Sequence, residues 1–236
     1  MTITTRTVDY EIDGASYEAV LASNGNDAKP GVMICHAWAG RSDFEVDKAK
    51  ALAELGLTGV AVDLYGKGVL GSSTEECQAL MTPFVEDRPM LQTRLAKILD
   101  VVKDQKEVDA QKTAAIGFCF GGLCVLDMAR SGADLKGVVS FHGLLGAPGN
   151  TKPKIDAKVL ALHGWDDPMA PPSDVESLCK ELTDAGADWQ LHAYGGTMHA
   201  FTNPAANDPD FGTVYNQDAD RRSWIAMKSF LEETFR

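Results

Sequence analysis

The sequence has few cysteines, fewer basic than acidic residues, and no long apolar run. Its 236 residues carry five cysteines, Cys35, Cys77, Cys119, Cys124 and Cys179. An odd, scattered set does not make a disulfide framework. With no Cys-x-x-Cys pair, zinc and redox-motif readings fall away, and no metal is expected. Lys and Arg number 22 against 34 Asp and Glu, for a net charge of −12 and a pI of about 4.8. Such a surface repels phosphate backbones, which excludes nucleic acid as an expected partner. No window approaches the roughly 18 consecutive apolar residues of a membrane span. The polar, β-prone stretch Met1 to Tyr10 does not read as a signal peptide. A cytoplasmic, reduced protein without membrane association is the expectation.

Internal repeats and low-complexity linkers are also missing. What is present is ordinary for a globular chain, 44% apolar and 24% charged residues. The length suits one α/β domain spanning 1–236, with a core that needs no metal or disulfide. Thr4 to Ile12 and Ser16 to Ala22 read as a hairpin around Asp13-Gly14. Gly31 to Cys35 is a short continuous apolar run, as expected of a strand covered on both faces. Ser42 and Glu45 have the spacing of a capping box ahead of a helix through Val46, Ala49, Leu52 and Leu55.

Strand and helix signals then alternate. Gly59 to Asp63, Thr113 to Phe118, Gly137 to Phe141, Lys158 to Leu162 and Trp189 to Ala193 read as strands. Helical spacing marks Leu91 to Val102, Leu123 to Arg130, Val175 to Leu182 and Trp224 to Phe235. Asn203 to Asp210 reads as a loop, and Lys67 to Arg88 is unplaced. The alternation implies a mostly parallel sheet flanked by helices on both faces; together with the turn described next, the α/β-hydrolase fold is the expectation.

The stretch Gly117-Phe118-Cys119-Phe120-Gly121-Gly122 lies between a strand and a helix. It has the form of a nucleophile elbow with cysteine in place of serine. A nucleophile presented on so sharp a turn needs glycines where strand and helix nearly touch. The helix N-terminus favours thiolate, and the Phe120 amide is placed to donate to an oxyanion. The bland alternative is a buried cysteine in a Gly-rich turn; the lysine of a phosphate-binding loop is absent.

In this fold the chain order is nucleophile, acid, histidine. The strand at Val159 to Leu162 runs into His163-Gly164-Trp165-Asp166-Asp167-Pro168. Asp167 is the preferred acid and Asp166 its competitor. His199, in the loop after the last strand, is the expected base. His36 and His142 end strands at the edge where ligands bind in open α/β sheets, so both are candidate substrate contacts. His163 is expected to be structural, and His192 to face solvent.

At these sites the chain resembles the dienelactone hydrolase family of cysteine α/β-hydrolases. The resemblance rests on the elbow, on Val62-Asp63-Leu64-Tyr65-Gly66, on Asp167 in its HGxxD turn, and on His199-Ala200-Phe201. It implies a Cys119–His199–Asp167 triad acting on a small-molecule ester, lactone or thioester, with no cofactor. It also implies that the Trp38 amide completes the oxyanion hole with Phe120. Two positions depart from the family. Ala37 stands where a glutamate holds the resting cysteine, and Asn203 where an arginine grips a substrate carboxylate. Asn203 joins His36 and His142 as a candidate substrate contact, but the dienelactone itself does not carry over. Two other readings stay open: a non-catalytic ligand-binding protein of the same fold, and an acyltransferase using the same triad.

Overall fold

The computed structural model describes residues 2–236, and the chain divides into two compact units, 1–116 and 117–236. In the first, β1 (Thr4–Ile12) and β2 (Ala15–Ser23) form the expected hairpin, with Asp13 and Gly14 both at positive φ in the turn. β3 (Lys29–Cys35) pairs parallel with β4 (Thr58–Ala61), and β2 pairs antiparallel with β4. The side chains of Val32 to Cys35 are fully buried, which explains why this strand reads as a continuous apolar run.

Helix α1 (Asp43–Glu54) begins with the capping box, Ser42 and Glu45 reciprocally satisfying backbone N–H groups. It lies so close to β4 that a Cβ at Gly59 would stand 2.6 Å from the Ala49 carbonyl oxygen. Two further helices follow, α2 (Thr74–Glu86) and α3 (Arg88–Lys103). The first occupies the segment left unplaced by sequence. Pro83, inside its last turns, reads as a breaker, yet Ser73 caps its start through the Glu76 N–H. β5 (Val108–Phe118) closes this half of the chain, and the strand order here is β1-β2-β4-β3-β5.

The second unit is built on α4 (Phe120–Ser131) and three parallel strands, β6 (Gly137–Phe141), β7 (Lys158–Gly164) and β8 (Trp189–Tyr194), in that order. α5 (Pro172–Asp184) connects β7 to β8, and α6 (Gln217–Thr234) closes the chain. Between β8 and α6, β9 (Asn207–Asp208) and β10 (Thr213–Val214) make a small antiparallel hairpin where sequence suggested only a loop. Two residues per strand are too few to show a hydrophobic period. Among the described residues no helix is long and apolar enough to cross a membrane.

Every residue of α4 from Phe120 to Arg130 is buried, so Arg130 must find its counter-charges inside the protein. Its guanidinium contacts Glu181 of α5 at 2.7 Å and Asp127 at 3.3 Å, and donates to the Leu145 and Gly146 carbonyls at 2.8 and 3.2 Å. This cluster ties α4 to α5 and to the segment that follows β6. Arg130→Met removes the cation from buried carboxylates and should cost about 3–5 kcal/mol of stability. Urea unfolding of the variant measures the loss; a change below about 1 kcal/mol would show the cluster to be energetically idle.

Candidate active site

Strand β5 enters the second unit at Gly117 and turns abruptly at Cys119, whose φ of 55° and ψ of −115° lie where side chains rarely go. Its neighbours enforce the turn. A Cβ at Gly117 would stand 2.0 Å from the Gly121 carbonyl oxygen, and one at Gly122 2.6 Å from the Gly143 Cα. Only glycine permits strand and helix this close. The Cys119 N–H divides between the Phe141 carbonyl at 3.0 Å and His142 Nδ1 at 3.1 Å. Phe120 then opens α4, so its amide belongs to the donor end of the helix.

The acid turn follows β7. Asp167 is 2% exposed; its Oδ1 accepts from the Met169 N–H at 2.8 Å and its Oδ2 meets His199 Nδ1 at 2.7 Å. Asp166, one residue earlier, points to solvent. Of the two competing aspartates, Asp167 is therefore the one that meets the imidazole.

His199 is held by its backbone as well as by its ring. Its N–H donates to the Gly212 carbonyl at 3.0 Å, and its carbonyl accepts from the Val214 N–H at 3.1 Å. The β9–β10 hairpin thus clamps residue 199 on both sides. Gly212, at φ 85°, also lies against Pro168 beside the acid turn, where a Cβ would come within 2.2 Å of Pro168 Cγ. The hairpin was not legible in sequence; the Asn, Asp and Pro residues up to Asp210 and Gly212 beyond them mark a turn but not the short strands beside it.

The ring of His199 is 2% exposed. Burial, the largest single influence, pulls its pKa down, but the Cys119 sulfur charge and the hydrogen bond to Asp167 together outweigh it and push the value up to about 10. Nε2 has no hydrogen-bond partner of regular geometry, and the Cys119 sulfur is the group it senses. Burial alone would push the ring toward its neutral form, and its two polar neighbours favour the protonated one.

His142 is 2% exposed and both of its ring nitrogens are used within the protein. Nδ1 accepts from Cys119, so Nε2 carries the proton and donates to Thr202 Oγ1 at 2.7 Å. Its ring meets that of His199 edge-on at 5.2 Å between centroids. Thr202 escaped sequence reasoning because a lone threonine after Phe201 carries no signal.

In the first unit His36 is also spent on backbone. Its Nδ1–H donates to the Ala37 carbonyl at 2.6 Å and its Nε2 accepts from the Leu64 N–H at 3.2 Å. Burial lowers its pKa despite the nearby Glu45 and Asp63 carboxylates. Ala37 has no carboxylate, but its N–H donates to Glu45 Oε1 at 3.2 Å, while Glu45 Oε2 accepts from Ser42. The helix-capping residue thus doubles as a buried carboxylate on the 37 backbone. The Trp38 carbonyl accepts from the Tyr65 hydroxyl at 3.0 Å. Asn203 is exposed and its side-chain oxygen accepts from the Ala205 N–H at 3.0 Å, a local turn. His163 is buried with its pKa lowered by that burial, and His192 faces solvent, both as expected. Among the described residues no His, Cys, Asp and Glu cluster could hold a metal ion.

The model of the dienelactone hydrolase family matches residues 17–235. A protein of Saccharolobus solfataricus named as a proposed carboxymethylenebutenolidase is 26% identical, the match covering 94% of this chain and 96% of that one. A dienelactone hydrolase-like promiscuous phosphotriesterase from metagenomic libraries is 32% identical, with a TM-score of 0.92 over 99% of both chains. An α/β hydrolase from a deep-sea metagenome library superposes with a TM-score of 0.67 at 14% identity over 98% of both chains, a likeness of fold alone. The fold is that of the α/β-hydrolases.

If the sulfur charge is the largest influence holding His199 protonated, Cys119→Ala should lower the His199 pKa well below about 10, read by NMR titration of the ring. The stability that this protonation contributes is complete below the unfolded value of about 6.5 and is lost as pH rises through about 10. The wild type's stability advantage over Cys119→Ala should therefore shrink between about pH 8.5, where the unfolded thiol has also ionised, and about pH 10. An unmoved His199 titration in the variant would show that the ring does not sense the sulfur.

Proposed function

The chain belongs to the dienelactone hydrolase family and is a hydrolase of that kind, and on this premise we propose that it cleaves carboxylic ester, lactone or thioester bonds of small molecules through Cys119, His199 and Asp167. The observation that carries the reading is the buried His199 ring between Asp167 and the sulfur of a strained strand-to-helix turn. A thiolate, not a thiol, is the working nucleophile, and an imidazolium beside it supplies both charge balance and a proton.

In the acylation step the Cys119 sulfur attacks the carbonyl carbon. The Phe120 amide donates to the developing oxyanion, an interaction worth about 3 kcal/mol per donor in such sites. The carbon–oxygen bond to the leaving group then breaks, and His199 Nε2 passes its proton to the departing oxygen. A thioester is left on Cys119.

Acylation also erases the sulfur's charge. That charge is the largest influence raising the His199 pKa, so burial then pulls the ring toward its neutral form. The histidine that was an acid becomes a base at the moment one is needed. It takes a proton from water, hydroxide adds to the thioester, the carbon–sulfur bond breaks, and the thiolate–imidazolium pair returns. Asp167 keeps Nδ1–H directed away from the sulfur throughout, leaving Nε2 for the chemistry.

The substrate panel consists of aryl and alkyl esters, lactones and thioesters. An aryl phosphotriester is included because a protein of similar structure is a promiscuous phosphotriesterase. Cys119→Ala should lose about 10³-fold or more of turnover on an aryl ester, and Asp167→Asn about 10²–10⁴-fold through the wrong imidazole tautomer. Undiminished turnover by Cys119→Ala would remove the proposal. Products formed in the presence of added alcohol or thiol separate hydrolysis from acyl transfer. Iodoacetamide should label Cys119 ahead of Cys35, Cys77 and Cys124, which are buried, and of Cys179, whose thiol burial pushes up. An inert Cys119 with no turnover would favour a non-catalytic ligand-binding protein.

A further inference from the structure

We propose that His142 is a positioning residue of this site, a neutral strut that joins the backbone of Cys119 to Thr202 in the histidine loop. The inference rests on the hydrolytic reading above but uses a group that the reaction scheme leaves out. His142 sits at the first position after β6 with φ 38°, a conformation that is costly for a side-chain-bearing residue. Something must repay that cost, and the ring's environment shows what.

A phenylalanine would fill the same buried space among aromatic neighbours. Phe201 lies edge-on at 5.1 Å and Phe118 at 6.1 Å between centroids. What phenylalanine cannot supply is a hydrogen-bonding nitrogen at each end. Nδ1 accepts from the Cys119 N–H at 3.1 Å, and Nε2 donates to Thr202 Oγ1 at 2.7 Å. The N–H at Cys119 is tilted by the strained turn so that it falls between two acceptors, the Phe141 carbonyl and this ring. Holding that N–H helps hold the turn, and the turn aims the sulfur.

The far end of the strut reaches the loop that carries His199, three residues before Thr202. The strut's ring edge also buttresses the His199 ring at 5.2 Å. Both ends need the neutral form with the proton on Nε2. A proton on Nδ1 would abolish the acceptor for Cys119 and set a second cation against the imidazolium. His142 is therefore neither acid nor base nor substrate contact. It keeps the sulfur and the His199 ring in register.

Three variants test this. His142→Phe keeps the ring and loses both hydrogen bonds. His142→Asn keeps an acceptor for Cys119, since Asn Oδ1 lies near the place of Nδ1 and asparagine tolerates positive φ. Thr202→Val removes only the far partner. His142→Phe is expected to lose about tenfold or more in kcat with KM within about twofold, to shift the His199 ring titration by about half a pH unit or more, and to slow iodoacetamide labelling of Cys119. His142→Asn should recover most of the loss, and Thr202→Val should fall between. A folded His142→Phe with native kcat and an unmoved His199 titration would overturn the proposal. If His142→Phe does not fold, Thr202→Val decides: native kcat together with an unchanged labelling profile overturns it. The titration and labelling need no substrate. A wild type that turns over no ester would therefore refute the hydrolytic reading alone and still leave the strut measurable.

Discussion

The second unit is organised around a buried imidazole with a carboxylate beside one ring nitrogen and a cysteine sulfur near the ring. Burial disfavours the protonated form of His199, and the Asp167 carboxylate and the Cys119 sulfur favour it. A buried charge balanced this way demands fixed geometry, since attraction falls with distance while the desolvation cost does not. The neighbouring backbone is built to supply it. The β9–β10 hairpin grips residue 199 on both sides, Gly212 packs on Pro168 beside the acid turn, and Asp167 Oδ1 is anchored by the Met169 N–H.

Backbone strain is concentrated in the same place. Among the described residues four non-glycine positions have positive φ: Asp13, Cys119, His142 and Ala200. The first is a hairpin turn. The other three are the sulfur-bearing turn, the ring that accepts its N–H, and the residue after His199. Strain of this kind persists only where surrounding contacts over-determine the conformation. Gly117 and Gly122 make the close approach possible, and the hydrogen bonds of Phe141, His142 and Thr202 keep it from relaxing.

Membership of the dienelactone hydrolase family accounts for the fold, and the departures mark where this chain goes its own way. Glu45, which caps α1, also accepts from the Ala37 N–H. One side chain thus serves helix and loop together, so a substitution at Glu45 would act on both. At position 203 an exposed asparagine closes a turn.

Much of this was readable in order. Period and punctuation placed the first hairpin, the capping box, the core strands and α4, because each is governed by neighbours a few residues apart. The elbow was readable for the same reason: Gly117, Cys119 and Gly121 act on one another within one turn of chain. The order of nucleophile, acid and histidine pointed to His199 and, with the HGxxD turn, to Asp167 ahead of Asp166; the structure turns the Asp167 carboxylate inward and leaves Asp166 exposed. α2 was hidden by Pro83, and the β9–β10 hairpin by strands too short to show a period. The sequence by itself determined the strand-to-helix bend and the residue types available for chemistry, because sterics and local spacing dictate them. Only the tertiary structure decided that the nitrogens of His36 and His142 are consumed by the protein, that a hairpin grips His199, and that Asp167 meets its ring. Apart from the adjacent Ala37 carbonyl, the partners in those hydrogen bonds lie between 13 and 60 residues distant along the chain, which no local pattern records.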